Sequence, residues 1–176
     1  MAAILASPWP LGGVRAQSLP AAVVAVIDYQ RLLRESAAAR SIREQIESRR
    51  KAYQEEISKE QQRLQEADKE LAKQRSLVSP EALTGKRREM EEGMAGLQKL
   101  VQERRRELDS ASAAALNEVK RALLEVLAAL ADERGFNLVL PVSEVIWAPA
   151  RMDVTEEVLS KLNERLPDVQ VTKASP

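Results

Sequence analysis

The sequence predicts an α+β protein, predominantly α, in which a long antiparallel helical coiled-coil hairpin projects from a small β-rich body. Three observations predict it. From Ser36 to Arg134 the chain is rich in charge, with apolar residues three and four positions apart, the a/d geometry of a coiled-coil seam. That pattern breaks once, at Ser79-Pro80, where proline disfavours helical geometry in the residue before it. Two helices joined by a few residues read most simply as a hairpin. Short β-branched runs flank the long pattern, before Asp28 and after Gly135.

Composition agrees. Of 176 residues more than half fall in the hairpin, and aromatic content is 3% against 31% charged, as suits a narrow seam with most helical positions wet. Net charge is zero, without the basic excess of a nucleic-acid binder. With no cysteine and no histidine, thiol chemistry, imidazole catalysis and zinc sites built from those ligands are excluded. No cofactor is expected.

In chain order, residues 1–16 read as a signal peptide. Val14 and Ala16 fit the small-residue positions before a signal-peptidase cut, which would make Gln17 the first mature residue. The basic n-region is missing, so the signal reads as truncated, and a disordered tail is the other reading. No run elsewhere reaches the ~18–20 apolar residues of a membrane span. Ala21 to Ile27 is a strand apolar on both faces, with Asp28 capping a helical turn from Tyr29 to Leu33. Ser36 caps the outgoing arm, which reads Ile57, Leu64, Leu71 and Val78 on one heptad line and Ile46, Tyr53 and Ala67 on the other.

Ser79-Pro80-Glu81 restarts the helix with a capping serine, proline at the first position and an early acid. The return arm reads Met90, Met94, Leu97, Val101, Arg104, Leu108, Ala111 and Ala115. From Leu116 the stripe slips one residue and widens through Leu124 and Leu127, which suits packing on a sheet. About a dozen residues overrun the hairpin before Gly135 ends the helix. Asn137 to Leu140 and Val142 to Ala148 read as a β-hairpin around Pro141, with Trp147 the largest available core residue. Thr155 reads as the cap of a last helix, and Pro167 onward as a tail. The division is then a body of 21–35 and 116–166, an arm of 36–115 with its tip near 79–80, and a tail of 167–176. The body core is assigned to Val24, Val26, Phe136, Leu138, Leu140 and Trp147.

Nothing reads as catalytic. Thr84-Gly85-Lys86 lacks the first glycine of a phosphate loop, and the carboxylates lie on solvated helix faces. Three arm features carry a bland and a functional reading each. Arg50, Glu60, Gln74 and Arg104 fall on seam positions, as tolerated polar residues or as a source of looseness. Gly85, Gly93 and Gly96 serve close packing or arm flexibility. The tip carries Lys73, Arg75, Lys86, Arg87 and Arg88 against Glu81 alone, a solvated end or a contact for acidic clients and anionic lipid headgroups.

Two stretches resemble the Skp (OmpH-like) periplasmic chaperone family. One is Val26-Ile27-Asp28-Tyr29-Gln30-Arg31 with Glu35-Ser36. The other runs from Asp132-Glu133-Arg134-Gly135-Phe136-Asn137-Leu138-Val139-Leu140 through Trp147 and Asp153-Val154-Thr155-Glu156-Glu157-Val158-Leu159 to Leu162-Asn163. Ala39 departs from the family's usual glycine, with only a local packing difference expected. The resemblance implies a homotrimer in which three chains complete a small β-barrel body and three arms enclose a cavity. It implies a periplasmic, ATP-independent holdase for unfolded outer-membrane proteins, in keeping with the absence of any nucleophile–base pairing or metal spacing in the residues. Oligomerisation is also expected because a two-helix hairpin and three strands bury too little apolar surface alone. The other readings are a structural coiled-coil spacer or adaptor and a cytosolic prefoldin-like chaperone.

Overall fold

The computed structural model describes residues 19–74 and 79–172. The candidate signal segment 1–16, the tip residue Arg75 and residues 173–176 of the candidate tail lie outside them. The fold is α+β and predominantly α. Strand β1 (Val24–Ile27) leads through α1 (Tyr29–Glu35) into α2 (Ala37–Gln74), which is followed by α3 (Pro80–Arg134). Strand β2 (Leu138–Pro141), two short 3-10 turns and α4 (Thr155–Arg165) complete the order.

The local signals act where their chemistry places them. Asp28 accepts from the Arg31 N–H at 2.8 Å and caps α1. The Ser36 hydroxyl, fully buried, accepts from the Ala39 N–H at 3.3 Å and caps α2. Ser79 caps α3 through the Ala82 N–H, with Pro80 at the first helical position. Gly135 ends α3 at φ 77°, a conformation that costs a residue with a Cβ.

At 1.5 Å per residue the 38 residues of α2 span about 57 Å and the 55 of α3 about 80 Å. They pack antiparallel along their length: Glu56 meets Arg104, Leu64 meets Gly93 and Gln74 meets Lys86. Each pair lies almost equidistant from the Ser79–Pro80 break. The extra length of α3 enters the body, where Val119, Leu123, Val126 and Leu130 are buried in one cluster with Leu32, Val158 and Leu162. Between Ile42 and Ala111, by contrast, Leu64 is the one buried residue among those described. The core therefore sits at the base, and the arm is held by a thin seam.

β1 pairs with β2 in parallel, Val24 opposite Leu138 and Ile27 opposite Pro141. Parallel neighbours need a crossover connection, and the whole helical hairpin supplies it. On its other edge β1 bridges to Asp153 through Val26. The three consecutive buried residues Ala25, Val26 and Ile27 fit a strand covered on both faces.

Four expectations are corrected. The β-hairpin around Pro141 does not form: Val142–Glu144 is a 3-10 turn, and β2 takes β1 as its partner. Trp147, on the irregular segment that follows, is 80% exposed and outside the core of the chain. Thr155 does not cap α4. Its hydroxyl accepts from the Asp28 N–H at 2.8 Å, while Asp153 accepts from the Thr155 N–H at 2.9 Å. The segment from Pro167 is not a free tail either, since Val169 and Val171 are buried in the main cluster.

Candidate functional site

Along the arm, α2 shelters Ile46, Tyr53, Ile57, Leu64 and Leu71 of its expected heptad lines, while Ala67 is exposed and Val78 lies outside the described residues; α3 is turned by one position on one of its two lines. Gly93 and Leu100 are sheltered, whereas Met94 and Val101 are 55% and 41% exposed. Gly93 explains the turn. A Cβ there would stand 2.6 Å from Leu64 Cδ2, so the missing side chain lets Leu64 seat against the α3 backbone. Gly85 and Gly96 have open space around them. Gly96→Ala is accordingly expected to stabilise the arm by about 1 kcal/mol through helix propensity. Gly93→Ala forfeits that gain to the collision with Leu64. Thermal unfolding of the two variants side by side checks the contrast.

Met94 and Val101 are one heptad apart and so share a face, leaving a short apolar stripe on a flank of the return arm, where Val101 borders Tyr53 and Ile57 of α2. Sequence periodicity places them in the seam, because a 3-4 pattern cannot distinguish the two registers when glycine is the closer packer.

Midway along the arm, polar groups replace apolar packing. Arg104 forks onto Glu56 with Nε–Oε2 at 2.9 Å and Nη2–Oε1 at 2.8 Å. Its Nη1 reaches Glu107 at 3.0 Å, and its guanidinium stacks 4.7 Å from the centre of the Tyr53 ring. Such a bidentate, stacked arginine fixes which residues face each other across the seam. Desolvation, aided by the hydrogen bond to Glu107, raises the Tyr53 phenol above its ordinary pKa.

At the described part of the tip, Lys73 lies 3.8 Å from Glu70 and Arg88 3.1 Å from Glu92, each within its own helix. Lys86 donates to the neutral Gln74 across the hairpin. Arg87 is exposed beside Leu71 and Leu83. The basic residues are thus gathered on one end, with Lys73 and Arg88 partly neutralised by neighbours. Surface pairs of this kind are weak and leave the ends available to solvent.

In the body, Val26 and Phe136 are 3% and 7% exposed, Val24 and Leu140 half-buried, and Leu138 43% exposed. Val23, whose carbonyl accepts from the Leu138 N–H, and Val142, directly after β2, are exposed as well, and so are Ile146 and Trp147 on the irregular segment that follows. Leu124, on the widened stripe of α3, is exposed beside Leu123, Leu127 and Pro141. The exposed apolar side chains on β2 and the segment after it form the apolar rim of the body.

A thin-seamed arm on a small body with an apolar rim defines a helical-hairpin protein. The chain belongs to the OmpH-like family of outer membrane proteins, whose family model matches residues 23–162. Its fold is similar to the crystal structure of an OmpH-like protein from Caulobacter crescentus CB15, described as an outer membrane chaperone. That likeness has a TM-score of 0.82 at 17% identity, covering 90% of this chain and 94% of that one. No curated protein matches the chain. Among the described residues no helix is long and apolar enough to cross a membrane.

Proposed function

We propose that the chain is a periplasmic, ATP-independent holdase that keeps unfolded outer-membrane proteins from aggregating. The observation that carries this reading is the exposed apolar stripe of Met94 and Val101 on an arm that stands away from the body. Membership of the OmpH-like family and the likeness to a protein described as an outer membrane chaperone support it. Three copies would join through the apolar rim around Leu138, Ile146 and Trp147, completing the sheet and setting three arms around a cavity. Clients would touch many weak points on the arms, with Gly85 and Gly96 allowing local bending. The basic tip would add attraction for acidic segments or anionic headgroups.

The test is light scattering of a urea-unfolded eight-stranded outer-membrane barrel protein diluted into buffer without nucleotide. The protein at modest molar excess is expected to suppress aggregation; undiminished scattering overturns the reading. A stoichiometric folded partner with no affinity for unfolded chains would indicate a spacer instead. Changing Lys86, Arg87 and Arg88 together to glutamate is expected to weaken client affinity several-fold at low salt and little at high salt, because exposed charges are screened. Equal affinity at low salt would remove the tip from the mechanism.

A further inference from the structure

The segment 167–172 lies beyond the family match, which ends at residue 162, yet it is laid along the root of the outgoing arm. Three polar residues one helical turn apart on α2 hold it. Ser41 donates to the Asp168 carboxylate. The Gln45 amide donates to the Val169 carbonyl at 2.8 Å and accepts from the Val171 N–H at 2.9 Å. Arg49 donates to the Val171 carbonyl. Val169 and Val171 are 2% and 3% exposed, while Asp168, Gln170 and Thr172 face solvent.

The two periods match. Four residues of α2 advance about 6 Å, and two residues of extended chain advance about 6.7 Å. An extended chain running alongside α2 therefore presents a peptide group to each of Gln45 and Arg49 while burying every second side chain. Gln45 and Arg49 touch only the backbone of the segment, so its side-chain identity matters little beyond an apolar residue at alternate positions. Two valines and a few hydrogen bonds are set against the ordering of six residues, so the balance holding the strap down is small.

We infer that Ser41, Gln45 and Arg49 form a strand-reading site for extended client segments with apolar residues at alternate positions, closed in the free chain by its own strap 167–172. Alternation of this kind is the sequence pattern of outer-membrane barrel strands. The inference rests on the holdase reading and adds to it a specific site and its regulation. Strap and client compete, so apparent client affinity scales with the fraction of time the strap is open.

The chain has no cysteine, so Ser41→Cys with Asp168→Cys creates a single lockable pair where the side chains already touch. A second variant ends at Leu166, and a third adds Gln45→Ala to that truncation. Affinity for the same urea-unfolded eight-stranded barrel protein is measured for each. Truncation is expected to tighten binding by about 3–10-fold, for a strap closed most of the time. Oxidising the cysteine pair weakens binding relative to its reduced form, and Gln45→Ala abolishes the gain from truncation. Equal affinity in oxidised, reduced and truncated forms overturns the inference while leaving the holdase reading intact. So does a gain that survives Gln45→Ala, which would mean that the strap only stiffens the arm. Should the truncated chain fail to fold, the oxidised and reduced pair decides alone, and equal affinity there overturns the site. Absence of client binding by the unaltered chain overturns both.

Discussion

A chain carrying Ile146→Asp and Trp147→Asp is expected to sediment as a monomer and to lose most of its capacity to keep unfolded clients dispersed. Both side chains are almost free of contacts within the chain, at 105% and 80% exposure, so the fold of each copy should survive. Truncating a buried aromatic anchor costs about 2–4 kcal/mol at an interface, and a charge placed beside apolar neighbours adds a desolvation penalty. In the proposed trimer that loss would recur at every interface. Analytical ultracentrifugation with circular dichroism checks the expectation. A variant that keeps its mass in solution would place the interface elsewhere than the rim of β2.

Arg104→Glu is expected to unzip the distal arm while leaving the body folded. The substitution removes the fork onto Glu56 and the contact to Glu107, and it sets a third carboxylate between those two. Breaking a fully buried ion pair costs 3–5 kcal/mol; with Glu56 partly exposed, about 2–3 kcal/mol is the appropriate scale. The distal seam has only Leu64 buried among its described residues, so little remains to absorb the loss. Hydrogen exchange should accelerate over residues 50–74 and 86–107, with protection unchanged around Leu123 and Val158.

The same cluster gives the arm a response to alkali. Because the Tyr53 phenol is raised above its ordinary value of 10.0, its contribution is fully present below that pH. It is lost as pH rises through the higher native pKa. Phenolate absorbance should show a late-titrating phase, and Tyr53→Phe should remove it. A Tyr53 phenol titrating at its ordinary value would exclude the contact to Glu107.

Much of this architecture was legible in the sequence because local chemistry determines it. Proline after a capping serine, an aspartate before a helical turn and glycine at a left-handed position act alike in most contexts. Seam register on α3 was not legible, since Met94 and Val101 satisfy the heptad as well as Gly93 and Leu100 do. Only the approach of Leu64 to a residue without a Cβ decides between them. The partner of β2 was hidden for another reason. Val142 to Ala148 is as β-prone as many strands, but the parallel pairing with β1 comes from a contact across the whole hairpin. The strap at Val169 and Val171 was missed because two valines among polar residues carry no periodic signal, and the match to Gln45 exists only in three dimensions.

The parallel pairing of β1 with β2 has a bearing on the order in which the chain folds. Residues 114 positions apart hydrogen-bond at the sheet, so closing it directly from the unfolded state carries a large loop-entropy cost. Zipping of α2 onto α3 outward from the Ser79–Pro80 turn proceeds through successively adjacent contacts and brings the two strands together at its end. The sheet, and with it the apolar rim beside β2, is then the last part to form. In the proposed trimer, a nascent chain would then join other copies only once its arm is complete.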